Sequence, residues 1–252
     1  MIRVFCFVGS LRQGSCTKKL TNEVVNKLTT LSEDNILVTL YDSFTTIDNC
    51  IGCRKCFAGK ICPLYEKDKF NEVILELLRA DIIIFATPVY LNNVSSTMKN
   101  FLDRIAFLTH LMPLPGKIGV VLSTADAVGI ESVNVYLKQI QTNLGIKVIG
   151  ELGVKSSIFN VKNTNLDKSI EKLATVVMNS LEDDNIVKYD EDLNKLFRYY
   201  RDYFNNPNSG AFKSEKDFWI KNGLVKCENF SQLVDLIKNN GYNREIMNFL
   251  DL

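Results

Sequence analysis

Four cysteines fall close together in the run Cys50-Ile51-Gly52-Cys53-Arg54-Lys55-Cys56-Phe57-Ala58-Gly59-Lys60-Ile61-Cys62-Pro63, although the chain of 252 residues holds only seven. The spacing is C-x2-C-x2-C-x5-C. In a reducing compartment a disulfide framework is not expected, so such a group points to a metal, a metal–sulfur cofactor or thiol chemistry. Thiolates three residues apart in a turn can converge on one face of a cube, with the fourth returning beyond the bend at Gly59. That pattern, closed by a proline, suits a [4Fe–4S] cluster. Zinc more often takes two separated C-x2-C knuckles. Metal-free thiols are the third reading, and the spacing leaves all three open. Arg54, Lys55 and Lys60 would offset the thiolates' negative charge.

A second group of residues could hold an anion. The first apolar run of the chain ends in Gly9-Ser10-Leu11-Arg12-Gln13-Gly14-Ser15-Cys16-Thr17 and leads into a helix. Small residues let backbone N–H groups approach an anion, and the start of a helix adds partial positive charge. Ser10, Ser15 and Thr17 supply hydroxyl donors and Arg12 a fixed cation. Neither G-x-G-x-x-G nor G-x-x-x-x-G-K-[ST] is present, which weighs against a dinucleotide fingerprint and a P-loop. The plain alternative is a polar turn with a Ser/Thr helix cap.

Elsewhere the chemistry-bearing residues read as structural. Lys99 and Asp103 stand at i,i+4 on a helix and pair, and Arg104 is expected in solvent or facing a second subunit. Glu66 and Asp68 sit where a helix starts and read as caps. His110, the lone histidine, reads as structural. Cys6 lies within a core strand as inert packing, and Cys227 has no partner in the sequence.

The elements that must position these groups follow from apolar periodicity. Ile2–Val8 is a continuous apolar run, the pattern of a strand buried on both faces. Further strands are expected at 36–41, 81–86, 117–122 and 146–154, and helices at 17–31, 69–79, 96–108, 130–144 and 165–181. The strand at 81–86 should stop at Thr87-Pro88, where proline removes a ladder donor. Strands alternating with helices imply βαβ units: a doubly wound α/β domain with a five-stranded parallel sheet. Residues 1–184 form that domain, with the cysteine loop at 50–62. Residues 185–252, rich in aromatic and charged side chains and broken at Asn205-Asn206-Pro207-Asn208-Ser209-Gly210, form a helical C-terminal extension packed on the sheet domain or on a second subunit.

Composition excludes several classes. Thirty basic residues against twenty-nine acidic ones, net +1, with no Lys/Arg stripe, argue against a nucleic-acid groove. No apolar run reaches the ~18 residues of a membrane span. The start of the chain lacks a signal-peptide pattern, so a cytoplasmic protein is expected.

At this point the motifs carry a resemblance. The turn at 9–17 resembles the G-S-x-R-x-x-S-x-T phosphate turn of the NAD(P)H-dependent FMN reductases. The segment from Pro88-Val89-Tyr90 through Ser95 and Lys99 to Phe101-Leu102-Asp103-Arg104 looks like their P-[VI]-Y-x-x-x-[LMV]-S-x-x-[LM]-K-x-F-[IL]-D-R segment. The resemblance implies a flavodoxin-like fold with strand order 2-1-3-4-5. It also implies bound FMN, its phosphate on Ser10, Arg12, Ser15, Cys16 and Thr17, and its ring against Pro88, Val89, Tyr90, Asn92 and Asn93. Ser123 and Thr124 occupy the place of the family's third flavin loop, which here lacks the usual glycines. Leu91-Asn92 departs from the Trp-Gly that often follows the tyrosine. The cysteine loop is similar to that of the archaeal and clostridial iron–sulfur flavoproteins. It is also similar to cysteine loops in many members not known to hold a cluster. The segment Asp217–Gly223, with one residue fewer between Asp217 and Trp219, resembles a C-terminal D-x-x-W-x-x-x-G element that covers the flavin or joins subunits, with core filling by Trp219 as the alternative.

The function so implied is an FMN-dependent NAD(P)H oxidoreductase. A reduced nicotinamide or a ferredoxin-like donor supplies electrons, and a quinone, another small acceptor or a [4Fe–4S] cluster on Cys50, Cys53, Cys56 and Cys62 receives them. The alternative is an electron carrier between partner proteins. Because the cofactor carries the chemistry, no catalytic side chain is named. A homodimer or higher homo-oligomer is the family's common state.

Overall fold

The computed structural model describes residues 1–160 and 163–240. Five parallel strands, β1 (Ile2–Val8), β2 (Ile36–Asp42), β3 (Ile82–Tyr90), β4 (Ile118–Ala125) and β5 (Lys147–Lys155), lie in the order β2-β1-β3-β4-β5. This is the doubly wound, flavodoxin-like sheet expected from the sequence. The alternation of side chains along each strand decides which layer they enter. Val4, Cys6 and Val8, with Ile82, Ile84 and Ala86, face α1 (Cys16–Leu31) and α5 (Thr164–Glu182). Phe5 and Phe7, with Ile83 and Phe85, face α2 (Phe70–Arg79), α3 (Ser96–Ile105) and α4 (Ile130–Asn143). Phe101 of α3 stacks on Phe7 with ring centroids 3.9 Å apart.

One expected boundary moves. β3 continues through Pro88 to Tyr90, with Pro88 in register with Thr124 of β4. Pairing with β1 ends at Val8 and Ala86, and the Gly9 N–H donates to the Ala86 carbonyl at 2.7 Å. Pro88, two residues on, turns its nitrogen to that same side, where β1 has already left the sheet. A missing donor there leaves no ladder bond broken.

Beyond the sheet, α6 (Asp184–Lys188), α7 (Glu191–Asn205), α8 (Lys213–Lys221) and α9 (Phe230–Asn240) build the extension. Phe197, Phe204, Phe218, Trp219, Phe230 and Leu233 belong to the same apolar cluster as Phe5, Phe7 and Phe101. The extension therefore packs on the sheet domain and completes its second face. Trp219 is core, and its Nε1–H donates to the His110 carbonyl at 2.9 Å. Residues 241–252, the end of the expected extension, lie outside the described residues.

Asp190 joins α7 to the sheet. Its Oδ1 accepts the Leu193 N–H at 2.7 Å as an N-cap, and its other oxygen pairs with Lys147 of β5. Burial pushes its carboxyl pKa up, but the bonds from Lys147 and Leu193 outweigh this and hold it below the ordinary aspartate value. A depressed folded-state pKa stabilises the fold above the unfolded value near 4 and loses that contribution as pH falls through the folded value. Asp190→Asn keeps a capping oxygen but removes the charge that pairs with Lys147, and is expected to lower stability by about 1 kcal/mol at pH 7. Urea midpoints measured at pH 7, 4 and 3 should show the gap from wild type closing as the pH falls.

Candidate functional site

The loops that follow β1, β3 and β4 meet at the carboxyl edge of the sheet, the place where doubly wound sheets hold ligands. Strand β1 ends in the turn Gly9–Ser15, and Ser15 caps α1 by accepting the Lys18 N–H at 3.2 Å. The first amides of α1, those of Cys16 and Thr17, have no intrahelical acceptor, an arrangement suited to an anion. Arg12 is exposed and makes no salt bridge among the described residues. Thr17 Oγ1 and Thr124 Oγ1 lie 2.6 Å apart, both buried, which binds this turn to the end of β4. The thiol of Cys16 reaches the Ser156 carbonyl at 3.7 Å.

The second loop is a tight hairpin. Val89 pairs with Val94 and Tyr90 with Asn93, leaving Leu91 and Asn92 as a two-residue tip with φ of 50° and 58°. Two successive positive φ values are what a type I′ turn requires. Ser95 then fastens the loop to β1. Its hydroxyl donates to the Gly9 carbonyl, accepts the Met98 N–H at 3.1 Å to cap α3, and its own N–H donates to Thr87 Oγ1 at 3.2 Å. Glycine is required at position 9, because a Cβ there would stand 2.6 Å from Met98 Cβ and 2.8 Å from Ser95 Oγ. The third loop closes on the second at Gly129 (φ +94°), where a Cβ would lie 2.6 Å from Asn92 Oδ1 and 2.7 Å from Val89 Cγ1.

These loops share one shallow cleft, lined by Ser10, Arg12, Ser15, Cys16, Thr17, Pro88, Val89, Tyr90 and Thr124. Nine of the twelve cofactor-site residues expected from the sequence are thus brought together. Asn92 stands at the hairpin tip, packed on Gly129, and Asn93 is exposed with its Oδ1 accepting the Val94 N–H at 2.8 Å. Ser123 is buried within β4 and bonds Asn134 Oδ1 at 2.6 Å, turned away from the cleft. Ala125, Asp126 and Ser156 also line the cleft and were not anticipated. Ser156 follows β5, and the rule that ligands sit beyond strand carboxyl ends would have pointed to it.

The cysteine loop forms a separate feature. Cys50, Cys53, Cys56 and Cys62 all line one cavity of about 80 Å³, with Phe57, Leu64, Phe70, Arg104 and Phe107 around them. Gly59, at φ 64°, makes the bend that returns the chain to Cys62. Cys50 and Cys53 are exposed, Cys56 and Cys62 half-buried, and all four are free. Burial pushes the Cys56 thiol up to about 11, with the nearby Cys62 and Cys50 adding to the rise against opposing backbone hydrogen bonds. Four sulfur donors on one cavity fit the donor set of a [4Fe–4S] cluster. Among the described residues, however, no three Cys, His, Asp or Glu side chains are drawn together as a metal site.

Arg104 corrects the sequence reading. Lys99 and Asp103 pair as expected, but Arg104 is neither solvated nor at a free surface. It is only 4% exposed, and it pairs with the buried carboxylate of Asp68. Asp68 Oδ1 accepts the Phe70 N–H at 3.0 Å, the helix-start role expected of it. On the other side of the loop, Ser214 of α8 donates to the Phe57 carbonyl at 2.7 Å and Arg54 lies 5.1 Å over the Phe212 ring. His110 Nδ1 lies 2.8 Å from the buried Glu215 carboxylate.

Comparison with known proteins agrees with this layout. The chain is 28% identical over 189 residues to an iron–sulfur flavoprotein of Archaeoglobus fulgidus, covering 71% of this chain and 80% of that one. It is 23% identical over 177 residues to an iron–sulfur flavoprotein of Clostridioides difficile, covering 69% and 77%. Among solved structures, RosB with a bound riboflavin-phosphate intermediate superposes with a TM-score of 0.60 at 16% identity, covering 84% of this chain and 91% of that one. The apo NADH:FMN oxidoreductase EmoB gives 0.53 at 21% identity, covering 69% and 89%. A sequence profile described as NADPH-dependent FMN reductase matches residues 2–160, from the first residue of β1 to just past Ser156, and so takes in every loop of the cleft. On that match the chain belongs to the NADPH-dependent FMN reductase family.

Proposed function

We propose that this chain binds FMN in the cleft and moves electrons from NADH or NADPH to a quinone, another small acceptor, or a [4Fe–4S] cluster carried by its own cysteines. The observation that carries this reading is the convergence of three loops on one cleft, with the exposed guanidinium of Arg12 beside the start of α1. Ser10, Arg12, Ser15, Cys16 and Thr17 would hold the phosphate through hydroxyls, guanidinium and helix amides. Pro88, Val89, Tyr90, Asn92, Asn93 and Thr124 would flank the ring system, Tyr90 with an aromatic face, while Ser123 would brace Thr124 from inside β4. When bound, FMN supplies a centre that accepts a hydride and can release electrons singly, so these residues need only bind and orient.

Anaerobic purification followed by an absorption spectrum and an NADH and NADPH oxidation assay tests the proposal. Bound FMN with nicotinamide turnover is the expected result. A protein that takes up no FMN from an excess overturns it. A second reading, an electron carrier between a ferredoxin-like donor and a partner protein, is favoured by the four cysteines on one cavity. Iron near four atoms per chain without nicotinamide turnover would select it.

The rest of the proposal concerns setting. Leu11, Leu91 and Val128 are exposed on the loops that carry the cleft, which supports a homodimer covering it. The free cysteines support a reducing, cytoplasmic location. Residues 1–184 would act as the FMN domain and 185–252 as its structural extension. Among the described residues no helix is long and apolar enough to cross a membrane.

A further inference from the structure

We infer that Asn100 and Arg104, one turn apart on α3, are the positioning residues of the cysteine loop, clamping both of its ends to the helix that also carries the flavin hairpin. At the entering end, Asn100 Nδ2 donates to the Ile47 carbonyl at 3.0 Å, and its Oδ1 accepts the Cys50 N–H at 3.3 Å. Arg104 Nη1 donates to the Asp48 carbonyl at 2.8 Å. At the leaving end, the same guanidinium pairs with Asp68, the two side chains being 2% and 0% exposed. Asp68 then closes the base of the loop, because its Oδ2 accepts the Asp48 N–H at 2.8 Å.

The guanidinium lies 4.1 Å over the Phe70 ring, and both groups line the cavity onto which the four thiols open. A planar fork can serve two acceptors in fixed directions, which a lysine ammonium cannot do in the same way. The other end of α3 is fixed by Ser95, which bonds Gly9 of the anion turn. One helix of ten residues, about 15 Å long by its rise, therefore sets the separation of the thiols from the flavin loop. The functional meaning of the clamp rests on Cys50, Cys53, Cys56 and Cys62 being metal ligands, but the clamp itself can be tested without metal.

The test uses the full-length chain with FMN added, as wild type, Asn100→Ala and Arg104→Lys. In the first arm, iron-free protein is treated with iodoacetamide, and the labelling rate of each cysteine is read by peptide mass spectrometry. Both variants are expected to label Cys56 and Cys62 at least tenfold faster, with the core thiol Cys6 unchanged. Asn100→Ala should keep the wild-type melting temperature and FMN affinity, a separation that general destabilisation would not give. In the second arm, anaerobic reconstitution with iron and sulfide is followed by EPR of the dithionite-reduced protein and by loss of iron to EDTA. The variants are expected to shift the EPR signal and to lose iron at least tenfold faster. If wild type takes up no iron, the ligand reading fails while the labelling arm still decides the clamp. Equal labelling rates in all three proteins overturn it.

Discussion

Arg12→Ala is expected to weaken FMN binding tenfold to a hundredfold, while leaving the melting temperature of the flavin-free protein within about a degree. The first number follows from a charge-assisted hydrogen bond to an anion, typically about 1.5–3 kcal/mol. The second follows from the surroundings of Arg12. It is exposed and makes no salt bridge among the described residues, so the fold does not depend on it. The decisive control is riboflavin, which has the ring but no phosphate. Fluorescence titration of the flavin-free protein should show equal riboflavin affinity in wild type and variant. Only FMN affinity should separate them, and the separation should shrink with added salt. If riboflavin binding falls as far as FMN binding, Arg12 acts on the ring or the fold, and the phosphate assignment fails.

Trp219→Ala is expected to be the most destabilising substitution considered. The side chain is fully buried and stacks on Phe204 with centroids 5.1 Å apart, with Phe197 and Tyr200 on its other sides. Truncating a buried tryptophan costs about 3–5 kcal/mol, a large part of a typical total of roughly 5–15. The change also leaves the His110 carbonyl without its donor. For a chain of this length the melting temperature should fall by roughly 6–20 °C. Because the extension and the sheet share one apolar cluster, near-UV circular dichroism should show one transition moved as a whole. Two separate transitions, with the FMN-binding one unmoved, would mean that the helices after α5 are a detachable unit. Trp219→Phe, which keeps most of the ring contact, should fall well short of the alanine effect.

What the sequence discloses about this protein divides by the range of the forces involved. The strands are legible because both faces of the sheet are covered, so runs such as Ile82–Ala86 are apolar without alternation. The anion turn is legible because its local chemistry is compact: small residues, hydroxyls and one guanidinium within nine positions. Pro88 misleads because its effect depends on which neighbour faces its nitrogen, and that is a property of the sheet rather than of the strand. Arg104 misleads for a similar reason. Helical spacing correctly pairs Lys99 with Asp103, but it cannot see that the excursion after β2 folds back over the next turn. A signal was present in Asn100 and Arg104 at i,i+4, a polar stripe beside the buried Phe101 and Ile105. The aromatic density of the extension shows that something is buried there. It does not show that the partners are α4 and the turn at His110, within the second apolar layer of the sheet domain.

The tip of the hairpin has one more consequence. Leu91 is fully solvent-exposed and holds a left-handed backbone that its Cβ opposes, at about 1–2 kcal/mol, where glycine or asparagine would sit at ease. An unfavourable conformation persists only when neighbouring bonds enforce it, and here the Val89–Val94 and Tyr90–Asn93 pairs do so. The place of Tyr90 in the cleft wall therefore depends on two rungs that hold the tip against its own local preference.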